Sequence, residues 1–213
     1  MDKVILKAVL STVLGIVLLC GILVAALVLV YPSTLMTLAY DVGMDGASAW
    51  CAGRAYNQFD NVYYIAYATE VSIGLGDAEK IDRYGSRFVA DEKFGEYCAQ
   101  TDEDTAEIGG SYAQYIYGQV CVAKYSQGKR QEAVDLAFSV NETGFPERNA
   151  AAVVLLNALV ANSEEDEPFI ADMLSRMREM LAAQEEAQTF PDADIEYLKS
   201  MIDLTQMRMD GLS

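Results

Sequence analysis

Three kinds of side chain in this sequence could do chemistry: acids in short runs, four cysteines and thirteen tyrosines. Histidine is absent, which removes Ser-His-Asp and Cys-His arrangements, imidazole zinc sites and the usual general base near neutral pH. An enzyme would have to work with carboxylates, Lys or Tyr, and no spacing here groups them as a catalytic set. We therefore expect no catalytic residue and no small-molecule substrate. The acid runs at 99–104 and 162–167 could attract calcium, yet neither has acids at alternate positions around a central glycine. Asp192, Asp194 and Glu196 do alternate, but Tyr197 stands where the loop glycine belongs and the surrounding pattern is helical. We expect charged turns whose acids favour the N-terminal ends of the following helices, with no metal and no cofactor. Cys51, Cys98 and Cys121 are an odd set at wide spacing with no metal motif. One disulfide between two of them in an oxidising compartment is one arrangement; three buried thiols is the other, favoured by settings such as Val120-Cys121-Val122.

The charge balance narrows the partners. The 213 residues hold 15 Lys+Arg and 32 Asp+Glu, a net charge of −17; with Asp2, Lys3 and Lys7 set aside the remainder carries −18. Such a field repels phosphate backbones and anionic lipid headgroups, so we expect neither a nucleic-acid partner nor surface association with acidic membranes, and basic segments are favoured.

Positioning begins at the N-terminus. Residues 8–30 are 23 positions without a charge, reaching about 34 Å at 1.5 Å per residue against a hydrocarbon core of about 30 Å. Only Ser11, Thr12, Gly15, Cys20 and Gly21 interrupt Leu, Val, Ile and Ala, so the run reads as an anchor with no ion path. Lys3 and Lys7 precede it and no basic residue follows until Arg54, which keeps the N-terminus cytoplasmic and the rest of the chain extracytoplasmic. Tyr31 suits the interface, and Pro32 breaks the helix on leaving it. A cleaved signal peptide, with Thr37-Leu38-Ala39 as its best site, has a shorter apolar core than this one. A lipid-bearing Cys20 is opposed by Leu19 before it and by the apolar run beyond.

We divide the chain into residues 1–31, a cytoplasmic N-terminus and transmembrane anchor, and 32–213, an all-α extracytoplasmic domain. Apolar spacing predicts helices at 34–42, 47–59, 62–75, 78–90, 91–99, 106–126, 130–139, 147–162, 168–184 and 192–210. Gly43, Gly76 and Gly128 are placed to take positive φ at helix ends, and Pro146 and Pro168 suit first turns. The apolar stretch 150–160 is too short for a second span and reads as a central helix. Asn141-Glu142-Thr143 would be a glycosylation acceptor only on a eukaryotic secretory route. Ile170, Met173, Leu174, Met177 and Leu181 form one amphipathic stripe and Ile195, Leu198, Ile202 and Met209 another, expected to close the open end of the helical array.

The glycine turns also carry a repeat. Gly43, Gly76 and Gly128 each follow a helix and open another, and the first two are 33 residues apart. From Tyr117 the pattern is an early aromatic, Cys121 four on, Gly128 at the turn, Ala133 in the second helix and Pro146 near the end. This resembles a tetratricopeptide repeat, best over 106–146 and more loosely over 32–146. Phe138 and Pro146 sit one place out of register, and Gly76 to Gly128 is 52 residues, not one period. The resemblance implies an α-solenoid of antiparallel helix hairpins whose concave face holds a peptide or a partner helix. It would place Tyr63, Tyr64, Tyr67, Tyr112 and Tyr115 on first helices lining that groove, where Tyr gives broad contact at small entropic cost. The alternative for these tyrosines is packing of one repeat on the next. The expected activity is that of a membrane-anchored scaffold or adaptor for a protein or peptide, basic or amphipathic. An accessory subunit associating through its transmembrane helix is a second expectation, and a carboxylate-dependent hydrolase a third.

Overall fold

The computed structural model describes residues 3–104, 111–139, 164–187 and 192–211, and among them every regular element is helical. The sequence expectations at 147–162, at 150–160, and at Asn141 and Pro146 lie outside the described residues. The chain divides into two compact units, Met1–Leu75 and Gly76–Ser213.

The first unit opens with α1, Lys3–Val30. Its stretch Val9–Val30 has a mean hydropathy of 3.2 and is long and apolar enough to cross a membrane. Its described side chains are exposed except Val28. Pro32 then sits at the first position of α2, Pro32–Asp41, where a missing N–H costs nothing. Gly43, at φ 73°, turns the chain into α3, Asp45–Phe59. The inner face of α3 is Ser48, Ala49, Cys51, Ala52, Gly53 and Ala55, all buried. Side chains this small let α2 and α4, Val62–Gly74, both pack closely upon it. Ser48 joins all three helices: its hydroxyl donates to the Met36 carbonyl at 2.9 Å and shares a 2.8 Å hydrogen bond with the Tyr67 hydroxyl. Between α3 and α4, Asp60 takes a left-handed φ of 49° and Asn61 caps α4 by accepting from the Tyr63 N–H at 3.0 Å.

The second unit starts at Gly76, φ 64°, and Asp77, which accepts from the Lys80 N–H at 3.1 Å. The single helix expected over 78–90 is α5, Ala78–Lys80, a π-helical turn, Ile81–Gly85, and α6, Ser86–Val89. Asp91 does not begin a helix; its side chain accepts from the Lys93 N–H at 2.9 Å, and α7 starts later, at Phe94–Asp104. Residues 99–104, expected as a charged turn, belong to α7, with Thr101 bonded to the Tyr97 carbonyl and Asp102 accepting from the Tyr112 N–H at 2.6 Å. Next come α8, Tyr112–Ser126, and α9, Arg130–Ala137, hinged at Gly128 with φ 76°. A 3₁₀ turn, Glu164–Asp166, leads into α10, Glu167–Ala187, followed by α11, Asp192–Asp210.

Two apolar centres hold this unit. Phe88 is fully buried, with edge-to-face rings at 4.9 Å from Phe94 and 5.5 Å from Tyr97, while Phe94 meets Tyr117 at 5.4 Å. The second centre joins Cys121 of α8, Ala133, Val134 and Ala137 of α9, Ile170, Met173, Leu174 and Met177 of α10, and Leu198, Met201 and Ile202 of α11. Ile170, Met173, Leu174 and Met177 of one amphipathic stripe and Leu198 and Ile202 of the other face into this centre, with Leu181 and Met209 at its margin; Ile195 is half-buried outside it.

Candidate functional site

The aromatic surface of the first unit follows from the register of α4. Val62–Gly74 buries Ile65, Ala66, Ala68, Thr69 and Ser72, which turns Tyr63 outward and leaves Tyr64 and Tyr67 at the margin. Tyr63 is 50% exposed. Its ring stacks on Tyr67 at 6.4 Å and meets Tyr64 edge-on at 5.8 Å. Phe59, at the end of α3, lies 6.0 Å from Tyr64, and Tyr40, at the end of α2, lies 6.4 Å from Tyr67. Five rings thus run continuously as Phe59, Tyr64, Tyr63, Tyr67 and Tyr40. The Tyr67 hydroxyl is anchored on Ser48, and burial raises its pKa. Beside the rings lies an open groove of about 630 Å³, lined by Tyr63, Tyr64 and the α2 residues Ser33, Thr34, Met36, Thr37, Leu38 and Asp41. Hydroxyls, a thioether and one carboxylate around aromatic faces suit contact with a mixed polar and apolar segment. Phe59 and Tyr40 extend the set beyond the tyrosines named from sequence; each sits in the last turn of its helix, outside the apolar periodicity.

Tyr112 and Tyr115 belong to the second unit. Tyr115 is 47% exposed, whereas Tyr112 is half-buried with its ring 6.1 Å from Tyr97. They therefore form a separate feature within α8.

The second unit also holds a charged cluster that local sequence reading missed. The π-helical turn turns Asp82 inward, where it is 6% exposed. Its carboxylate lies 2.7 Å from Lys124 Nζ and 2.5 Å from Lys129 Nζ, and accepts from the Ser86 hydroxyl at 3.0 Å. Burial alone would raise the Asp82 pKa, but hydrogen bonds from Lys124, Lys129 and Ser86 outweigh it and hold the group at about 2. Burial likewise works to lower the Lys124 pKa, and Asp82 and Glu132 together raise it. Both shifts preserve charge, the opposite of what a general acid or an amine nucleophile needs at neutral pH. The cluster is thus a tie between the π turn, α8 and α9. A second tie joins Asp166, nearly fully buried, to the Tyr125 hydroxyl at 2.5 Å and to Arg130 Nε at 2.9 Å. The acidic turn expected to be solvated thus contributes a buried carboxylate.

Cys51, Cys98 and Cys121 are all buried and none is in a disulfide. Burial pushes the Cys121 thiol up to about 12 and raises that of Cys51. Among the described residues no group of three potential metal ligands converges. Comparison with family models, with curated proteins and with solved structures gives no match.

Proposed function

We propose that this chain is a membrane-anchored interaction scaffold or adaptor, in which α1 confines a tetratricopeptide-like helical domain to the membrane surface. The observation that carries this reading is the run of five aromatic rings ending in the half-exposed Tyr63, beside an open groove and on the unit that begins with α1. Rigid aromatic faces give contact area with little entropy left to lose, and anchorage raises the effective concentration of any partner in the same membrane. The packing of α3 with α2 and α4, and of α9 with α8, supports helix hairpins stacked as a solenoid. The lysines at positions 3 and 7 support a cytoplasmic N-terminus, which puts the acidic domain outside and suits basic or amphipathic protein segments.

A second reading, an accessory subunit that associates through α1, is favoured by the small residues Ser11, Gly15, Gly21, Ala25 and Ala26, which permit close approach of another helix. Co-purification from membranes with Tyr63→Ala and Tyr64→Ala, set against a chain with α1 replaced by an unrelated span, separates the two. The scaffold reading expects the alanine variants to lose the partner and the span exchange to keep it. Retention by both alanine variants would overturn the assignment of the aromatic surface.

A further inference from the structure

Residues 31–75 contain four acids, Asp41, Asp45, Asp60 and Glu70, and one cation, Arg54. That cation is not spent on the acids: among the described residues Arg54 has no ion-pair partner. Its guanidinium instead lies over the ring of Trp50, 5.6 Å from the centroid. A cation held over a ring in this way keeps its charge without spending it on a carboxylate, and its N–H groups remain donors for an anion. Trp50, Arg54, Asn57 and Gln58 are spaced i, i+4, i+7 and i+8, so they form one stripe along α3, opposite the small buried face that packs on α2 and α4.

The position of this stripe decides what it meets. Arg54, Asn57 and Gln58 line a recess of about 230 Å³ whose other wall is Val28 and Leu29 of α1. These two residues lie in the last turn of the apolar stretch Val9–Val30, and Val28 is the one described residue of that stretch that is buried. In a spanning helix that turn lies where hydrocarbon gives way to headgroups, the depth at which Trp and Tyr concentrate and Arg reaches phosphate. One wall therefore offers an acyl chain an apolar surface, and the other offers the Arg54 guanidinium and the Gln58 carboxamide.

We infer that the recess between the end of α1 and the Trp50–Arg54 face of α3 binds the phosphodiester headgroup of a membrane phospholipid. Arg54 takes the phosphate oxygens with its paired N–H groups, Gln58 offers its amide to phosphate or glycerol oxygens, and the upper acyl chain lies along Leu29. The single charge of Arg54 matches the single negative charge of a phosphodiester, and its local attraction must exceed the repulsion of the four acids in residues 31–75. The bound lipid would hold α3 upright against the bilayer and fix the attitude of the first unit. This inference rests on the reading of α1 as a membrane span.

Trp50 is the chain's one tryptophan, so its emission reads this face directly. The test reconstitutes the full chain in galactolipid nanodiscs doped with phosphatidylglycerol carrying bromine near the glycerol end of its acyl chains. Trp50 quenching is followed against phospholipid mole fraction. We expect half-quenching of the native chain at a mole fraction about tenfold below that for Arg54→Gln, with Arg54→Lys, which keeps the charge and loses the fork, in between. Circular dichroism checks that each variant is folded, and Gln58→Ala, expected to shift the curve about twofold, probes the same recess without touching the charge. Superposed curves for the native chain and Arg54→Gln would overturn the proposal. Relief of quenching by millimolar inorganic phosphate would also overturn it, assigning the recess to free phosphate. Absence of quenching even in pure bromolipid would overturn the span reading, and the lipid site with it.

Discussion

Replacing Asp82 with Asn should destabilise the second unit by about 3 kcal/mol at neutral pH, and most of that difference should vanish in acid. The carboxylate in the fold is held at about 2 against an ordinary 3.8, and at about 1.4 kcal/mol per pKa unit the ionised form contributes about 2.5 kcal/mol. The further loss comes from Lys124, 9% exposed, which would retain only Glu132 as a partner. It stays modest because Lys129 is 42% exposed and can return to water. The sign follows from a depressed carboxylate: the stabilisation is present above the unfolded pKa near 3.8 and is lost as pH falls through about 2. Urea unfolding of the full chain in mild detergent, read by thiol labelling of buried Cys121 in a background lacking the other cysteines, measures the neutral difference. Circular dichroism carries the comparison into acid. A neutral-pH difference below about 0.5 kcal/mol would refute the reasoning, as would a difference that stays constant from about pH 6 to pH 2.

Cys121, with its thiol pushed up to about 12, should react with a thiol reagent at neutral pH at least about a hundredfold more slowly in the folded chain than in urea, as mass spectrometry would show. Ser48→Ala should cost about 1–3 kcal/mol in thermal unfolding, because the Met36 carbonyl and the Tyr67 hydroxyl lose a shared buried partner. Gly128→Ala should lower stability by about 1–2 kcal/mol, since a Cβ meets open space there but φ is 76°; an unchanged melting temperature would argue against that turn.

Where local chemistry decides the structure, the sequence was readable. Gly43, Gly76 and Gly128 all take positive φ at helix ends, and Ile170, Met173, Leu174 and Met177 of one stripe share a core with Leu198 and Ile202 of the other. The apolar run at 8–30 reappears as the one described helix long and apolar enough to cross a membrane. What local reading missed depends on partners far along the chain. A period of 3.6 cannot register the extra residue of the π turn, which exists with Asp82 turned toward Lys124 and Lys129, more than forty positions away. Residues 99–104 look like a turn by composition, yet Asp102 is held at the start of α8 and the helix persists. The tyrosines illustrate the same limit. Tyr63, Tyr64 and Tyr67 could be named from spacing, but their joining with Tyr40 and Phe59 into one surface required the packing of α2 and α4 on α3, which brings the last turns of α2 and α3 beside α4.

On the proposed reading an aromatic surface meets its partner because α1 holds it at a membrane. Photo-crosslinking from a benzophenone side chain placed at Tyr63, in native membranes, tests both halves together. The account expects one discrete protein adduct from the full chain, none from the same probe at exposed Glu79, and loss of the adduct when residues 1–31 are removed. An adduct formed equally well without residues 1–31, or no adduct from position 63 in intact membranes, would contradict it.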